Sequence, residues 1–183
     1  MYEDGVRVNP RSRSEIESIA YLLRKGFGFP GKTYFPLMDF LEHGLCEIVR
    51  GFYYDVHPNG TLQDNARALA YPDKACILVE DSVYSGACAD IGKDRMTIAH
   101  EIGHIILHRG IPLARRYEAQ PFEIYKNSEW QGDVFAGELL SPIASITGMT
   151  TFKIVDKYKT SYSAANAQIR ALEKKLHRPK FKL

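Results

Sequence analysis

Three residues near the middle of this 183-residue chain have the types and spacing to hold a metal ion and use it. Residues 94–110 read DRMTIAHEIGHIILHRG and contain His100, Glu101 and His104 in the order His-Glu-x-x-His. On a helix the two histidines lie one turn apart, ~6 Å along the axis, with their side chains on one face. Two neutral imidazoles so placed can bind one Zn²⁺. Glu101, next to the first ligand, then reaches a water on that ion without ligating it. The competing reading is a histidine-rich amphipathic helix whose polar groups are satisfied by the core.

A catalytic zinc needs a third protein ligand and an open position for water. His108 is nearest in sequence, but on an unbroken helix it stands ~12 Å along the axis from His100. No chain-turning glycine precedes it, so it reads as packing or capping the helix end. Glu129 suits the role better. It begins SEWQGDVFAGELL, a helical stretch that Ser141-Pro142 ends. Glu129, Gly132, Asp133 and Ala136 share one face of that helix, while Trp130, Val134 and Leu139 suit a packed face. Gly132 and Ala136 would let a neighbouring helix come close enough for a short glutamate to reach the metal. Asp133 either accepts a proton from a ligand imidazole, fixing its tautomer, or is a solvated carboxylate. Zinc held this way acidifies water, and Glu101 is the general base that takes the proton and returns it to a leaving amine. Tyr117, Tyr125, His108 and Arg109 are available to stabilise the transition state, and nothing in the sequence chooses among them.

The elements that must position these residues follow from periodicity and punctuation. Ser14 and Glu17 have capping-box spacing, and Ile16, Ile19, Ala20, Leu22 and Leu23 repeat helically until Gly26. Pro36 opens a short helix, FPLMDFLEH, that Gly44 closes. CEIVRGFYYD (46–55) is β-rich, HPNG (57–60) is a turn, and 61–74 read as polar loop. ACILVE (75–80) is a short buried strand, with SVYSG continuing or following it. It is either an edge strand, able to hold an extended substrate by backbone pairing, or an internal core strand. Asp94 caps the metal helix and Gly110 terminates it. The second half is helical, so the fold class is α+β.

TIAHEIGHIILHR (97–109) together with EWQGDVFAGELLSP (129–142) resembles the ImmA/IrrE family of metallopeptidases. There the second block has the form Glu-x-x-Ala-(Asn/Asp)-x-Phe-Ala-x-x-Leu-Leu-x-Pro. This chain has Gly132 where alanine is usual and Ser141 where methionine is common, and neither is a ligand position. The resemblance implies a zincin-like domain with a small β-sheet, a His-Glu-x-x-His helix and C-terminal helices. It also implies zinc ligands at His100, His104 and Glu129, with Glu101 as general base and manganese as a second metal able to support activity. It extends weakly over the N-terminal helix, the GLCEIV region and the tail KYKTSYSAANAQIRAL. The function it implies is one limited, site-specific cut in a helix-turn-helix (XRE-type) transcriptional repressor, relieving repression. The alternatives are a regulator that binds the repressor without cutting it and a toxin–antitoxin component. Many relatives carry a DNA-binding domain at the N-terminus, and no room for one precedes Ser14.

Composition bounds the remaining classes. The chain has 24 Lys+Arg against 22 Asp+Glu, 45% hydrophobic and 11% aromatic residues, which is ordinary globular usage. Three cysteines without a CxxC argue against a disulfide framework. The N-terminus has no apolar signal-like stretch, no run approaches membrane-spanning length, and no glycine-rich phosphate loop occurs. A cytoplasmic location is therefore expected. The near-neutral total hides an asymmetry: residues 153–183 carry nine Lys/Arg and two Asp/Glu. We expect residues 1–152 to form the metallopeptidase domain and 153–183 a basic helical appendage packed on it. The appendage resembles a helix-turn-helix superficially, with a joint at 160–163. Ala164, Ala165, Ile169, Leu172 and Leu176 give it a core face, so packing is preferred to DNA contact.

Overall fold

The structure, a computed structural model, describes residues 5–31, 33–113 and 122–177. Helix α1 (Arg13–Gly26) starts at a capping box two residues earlier than the Ser14–Glu17 spacing predicts. Ser12 Oγ accepts the Glu15 N–H at 3.2 Å, and the Glu15 carboxylate accepts the Ser12 N–H at 2.6 Å. Glu17 instead pairs with Arg13 and Lys175. After Pro36 the chain forms α2 (Leu37–Asp39), a π-helical turn (Phe40–Gly44) and α3 (Leu45–Ile48). Gly44 thus lies inside the helical run and does not close it. A side chain there would meet the rings of Phe40 and Phe27, 2.5 and 2.8 Å away. Residues 46–48, expected in a strand, are helical because Leu41 and Leu45, one turn apart, are both anchored in the core.

The sheet has three strands, β1 (Tyr53–His57), β2 (Ala68–Tyr71) and β3 (Cys76–Glu80), in the order β1-β3-β2. β3 runs parallel to β1 and antiparallel to β2. ACILVE therefore contributes the central strand, and the edge beside the His-Glu-x-x-His helix is β2, inside the stretch that reads as polar loop. SVYSG turns directly from β3 into α4 (Asp81–Cys88), burying Val83, Gly86 and Ala87 at helical spacing.

Helix α5 (Gly92–Leu107), which carries the His-Glu-x-x-His motif, buries Ile98, Ala99, Ile102 and Ile105 between the sheet and α6 (Ser128–Leu140). Each isoleucine so buried contributes roughly 1.5–3 kcal/mol. Asp94 does not cap this helix; it lies in the first turn, buried, and accepts from Arg67 Nη2 at 2.9 Å. Arg95 is fully buried. Its guanidinium donates to the Tyr34 hydroxyl (2.7 Å), Asp90 (3.0 Å) and the carbonyls of Phe35 (2.8 Å) and Lys159 (3.0 Å). That residue bolts the start of α5 to the N-terminal half and to the joint between α7 (Thr151–Tyr158) and α8 (Tyr162–Leu176).

Ile146, Ile154, Tyr158 and Ala165 form a small second core beneath α7 and α8. Glu138 on α6 is buried and accepts from Arg13 (3.1 Å), Gln168 (3.0 Å) and the Ile143 N–H (3.2 Å), tying α1, α6 and α8 together. The architecture is α+β with a small sheet and helices on its flank.

Candidate metal centre

His100 and His104 project from one face of α5, and Glu129 reaches them from the first turn of α6. His100 Nε2 lies 2.8 Å from His104 Nε2 and 3.2 Å from Glu129 Oε2; His104 Nε2 lies 3.6 Å from Glu129 Oε1. One ligand atom from each side chain falls within 4.8 Å of the others. The helices approach closely at position 132, a glycine in this chain. A Cβ there would stand 2.9 Å from Cε1 of His100. The start of α6 is set by Asn127, whose side chain accepts the Trp130 N–H at 3.0 Å, and by Ser128 Oγ, which accepts the Val6 N–H at 2.9 Å.

Both imidazoles are held from behind. His100 Nδ1 is 2.9 Å from Asp133 Oδ1. His104 Nδ1 is 3.1 Å from His108 Nδ1, and His108 Nε2 is 3.2 Å from Gln131 Oε1. With each Nδ1 engaged, the two Nε2 atoms and the Glu129 carboxylate point at one another. Two imidazole nitrogens and one carboxylate converging beside an open cleft fit a divalent cation such as Zn²⁺.

The protonation states carry the same message. Burial disfavours charge on His100, yet hydrogen bonds to Asp133 and Glu129 outweigh it and push its pKa up to about 10. Burial, with the His100 charge beside it, holds His104 well below 6.5. Burial also pushes His108 down to about 4. Glu101 is raised to about 7, chiefly by burial and by the Glu129 charge, with His100 and the Ala70 N–H opposing. Positive charge is thus wanted at this point, and a proton on His100 supplies it where a metal would otherwise do so.

A cleft of about 530 Å³ opens beside His100 and Glu101, lined also by Met96, Thr97, Trp130 and Ala164. His108 does not face it. The residue is 1% exposed and has both ring nitrogens occupied, so it is removed from the candidates for contacting a transition state. Tyr125 stands exposed in a 3₁₀ turn before α6, with the Lys126 ammonium 5.6 Å over its ring. Arg109 is exposed just beyond α5. Tyr117 lies outside the described residues.

Two participants escaped the motif reading. Gln131 carries no motif. It does fall on the same helical row as Val134, Phe135 and Glu138, all buried, so an amide there must find partners inside the protein. Ala70 acts through its backbone, which no side-chain pattern reveals.

Residues 82–169 match the model of the Peptidase_M78 family, described as the IrrE N-terminal-like domain. Over that stretch the chain is similar to the Peptidase_M78 domain. The match begins in α4, includes the whole of α5 and α6 and ends within α8. It agrees with the resemblance to the ImmA/IrrE family. The M78 domain is a zincin-like α+β peptidase domain, and its family consists of metallopeptidases. No curated protein matches the chain. Among the described residues no helix is long and apolar enough to cross a membrane.

Proposed function

We propose that this protein is a zinc-dependent endopeptidase of the cytoplasm that makes one limited cut in a helix-turn-helix (XRE-type) repressor and so relieves repression. The observation that carries the catalytic reading is the convergence of His100, His104 and Glu129 beside a carboxylate, Glu101, poised at about 7. Zn²⁺, or Mn²⁺ in its place, would be held by those three side chains and would supply Lewis acidity to water and to the scissile carbonyl. Glu101 takes a proton from the attacking water and gives it to the departing amine, a task suited to a group that titrates near neutrality. Asp133 keeps His100 oriented by accepting from Nδ1. The neighbouring edge for an extended substrate is β2, because β3 is sandwiched between β1 and β2. The Ala70 N–H of β2 already meets Glu101, which registers that edge against the general base.

The choice of a repressor as substrate is supported by the family resemblance, and the peptidase chemistry by the site. Incubating the purified protein with Zn²⁺ and a candidate XRE-type repressor tests both. Discrete fragments that disappear with EDTA and with Glu101→Gln are expected. Stable binding without fragments, unchanged by Glu101→Gln, would replace proteolysis by a regulator that acts through binding.

A further inference from the structure

We propose that His108 and Gln131 are positioning residues for the metal centre: they form a neutral relay that fixes His104 in the tautomer with Nδ1 protonated and Nε2 bare. This inference rests on reading His100, His104 and Glu129 as a metal site, and the donor and acceptor roles follow one from another. Gln131 Nε2 is 2.9 Å from the carbonyl of Asn9 and 2.8 Å from the carbonyl of Tyr125. Carbonyl oxygens only accept, so the NH₂ of Gln131 must face them and its Oε1 must face His108. Oε1 also only accepts, so His108 Nε2 carries a proton and donates across 3.2 Å.

His108 is 1% exposed, and its ring nitrogens face His104 and Gln131 with no carboxylate at either among the described residues, so burial keeps it neutral. A neutral ring protonated at Nε2 has a bare Nδ1, which must accept. His104 Nδ1, 3.1 Å away, is therefore the donor. A neutral His104 protonated at Nδ1 leaves the Nε2 lone pair directed at His100 Nε2 and Glu129, where a metal would sit. Two backbone carbonyls thus determine, through two side chains, which nitrogen of a ligand is free.

The carbonyls themselves are fixed by an N-terminal segment laid along the entry to α6. The Val8 N–H donates to Lys126 at 2.8 Å, Arg11 to Tyr125 at 3.0 Å, and Ser128 to Val6 at 3.0 Å. Residues 6–11 lie far from the metal motif in sequence and outside the matched family region, yet the relay ends on them. The relay also accounts for His108 being buried one turn beyond the second ligand: it supplies His104 with the acceptor that Asp133 supplies to His100.

The test has two independent readouts. In the metal-free ¹⁵N-labelled protein, long-range imidazole correlations should show His104 with Nδ1 protonated and Nε2 bare. Zinc affinity, measured by chelator competition, should fall about 10- to 100-fold in His108→Leu and in Gln131→Met, the usual loss when a ligand's outer partner goes. His108→Asn, which returns an acceptor oxygen near the Nδ1 position, should recover most of that loss. A merely structural role for His108 would give no such recovery. His104 protonated at Nε2 in the metal-free protein, or a zinc affinity within threefold of wild type in a folded His108→Leu, would overturn the relay. Absence of zinc uptake by the wild-type protein would instead overturn the metal reading, and the tautomer measurement would still decide the relay.

Discussion

The two motif histidines of α5 look equivalent in sequence and are supported in opposite ways. His100 has a side chain 17% exposed and leans on Asp133, a charged carboxylate that is itself 50% exposed. His104 is 5% exposed and is backed by a buried chain of neutral groups, His108 and then Gln131, ending on backbone carbonyls. An anionic partner strengthens a ligand but costs desolvation, so it belongs where water still reaches it. A neutral relay can be buried because every donor meets an acceptor and no charge is stranded. One helix therefore presents a wet, electrostatically tuned imidazole on the cleft side and a dry, geometrically fixed one on the core side.

The largest effects should come from the two groups that belong to neither side. Glu101→Gln removes the proposed base while leaving His100, His104 and Glu129 in place. Cleavage should fall by about 10²–10⁴ with zinc content unchanged, as metal analysis beside a fragment assay would show. Glu129→Ala removes the ligand that both histidines face, and zinc should no longer copurify at one equivalent. Stoichiometric zinc in that variant would mean that the two sides are completed by some other residue.

The asymmetry itself is sharpened by comparing Asp133→Asn with His108→Leu. Each should weaken zinc binding by about 10- to 100-fold. The Asp133 penalty should shrink as salt rises, because half-exposed charge is screened, whereas the His108 penalty should not. Equal salt dependence would erase the distinction between a charged and a neutral support.

Without metal, the two sides should also respond to pH with opposite signs. His108 is depressed from 6.5 to about 4, so as pH falls through that window the unfolded chain takes the proton first and stability is lost. His100 is raised to about 10, so its contribution is complete below 6.5 and is lost as pH rises towards 10. Each limb can be at most about 1.4 kcal/mol per pH unit for one proton. Thermal melts of the metal-free protein across pH 4–10 should show a shallower acid limb in His108→Asn, with the part due to His104 remaining, and a shallower alkaline limb in Asp133→Asn, with the part due to Glu129 remaining. Limbs that persist unchanged in both variants would show that the pH response originates elsewhere in the chain.

How much of this was legible beforehand depended on how local each cause is. His100, Glu101 and His104 are readable because a single helical turn brings them together, and α6 runs over Ser128–Leu140, the stretch SEWQGDVFAGELL that reads as helix. The expectations that failed, at residues 46–48 and in the stretch 61–74, did so where a distant contact decides the local structure. β2 is four residues, ALAY, and exists only because β3 pairs with it, so in isolation it reads as part of a polar loop. Residues 46–48 carry strand-like residues but follow Leu41 and Leu45 into the core as helix. Gln131 is an unremarkable amide until Asn9, 122 positions earlier, is brought against it. The charge asymmetry was visible in composition, whereas the bolts through Arg95 and Glu138 that hold the surrounding helices together were not.

The smallest effect should be at Gly132, and it distinguishes how stiff the two sides are. Gly132→Ala in mid-helix should add up to about 1 kcal/mol of helix propensity. The new methyl would stand 2.9 Å from Cε1 and 3.1 Å from Nε2 of His100, closer than carbon atoms pack, so that ring must shift to make room. His100 borders the cleft and is held by a partly solvated carboxylate, so it can move while keeping its bond to Asp133. Zinc affinity should therefore drop by less than the roughly tenfold expected for losing an outer partner, with the metal-free melting temperature unchanged or higher. A larger drop would mean that the cleft-side ligand is as rigidly placed as His104, and the contrast between a yielding and a fixed ligand would fail.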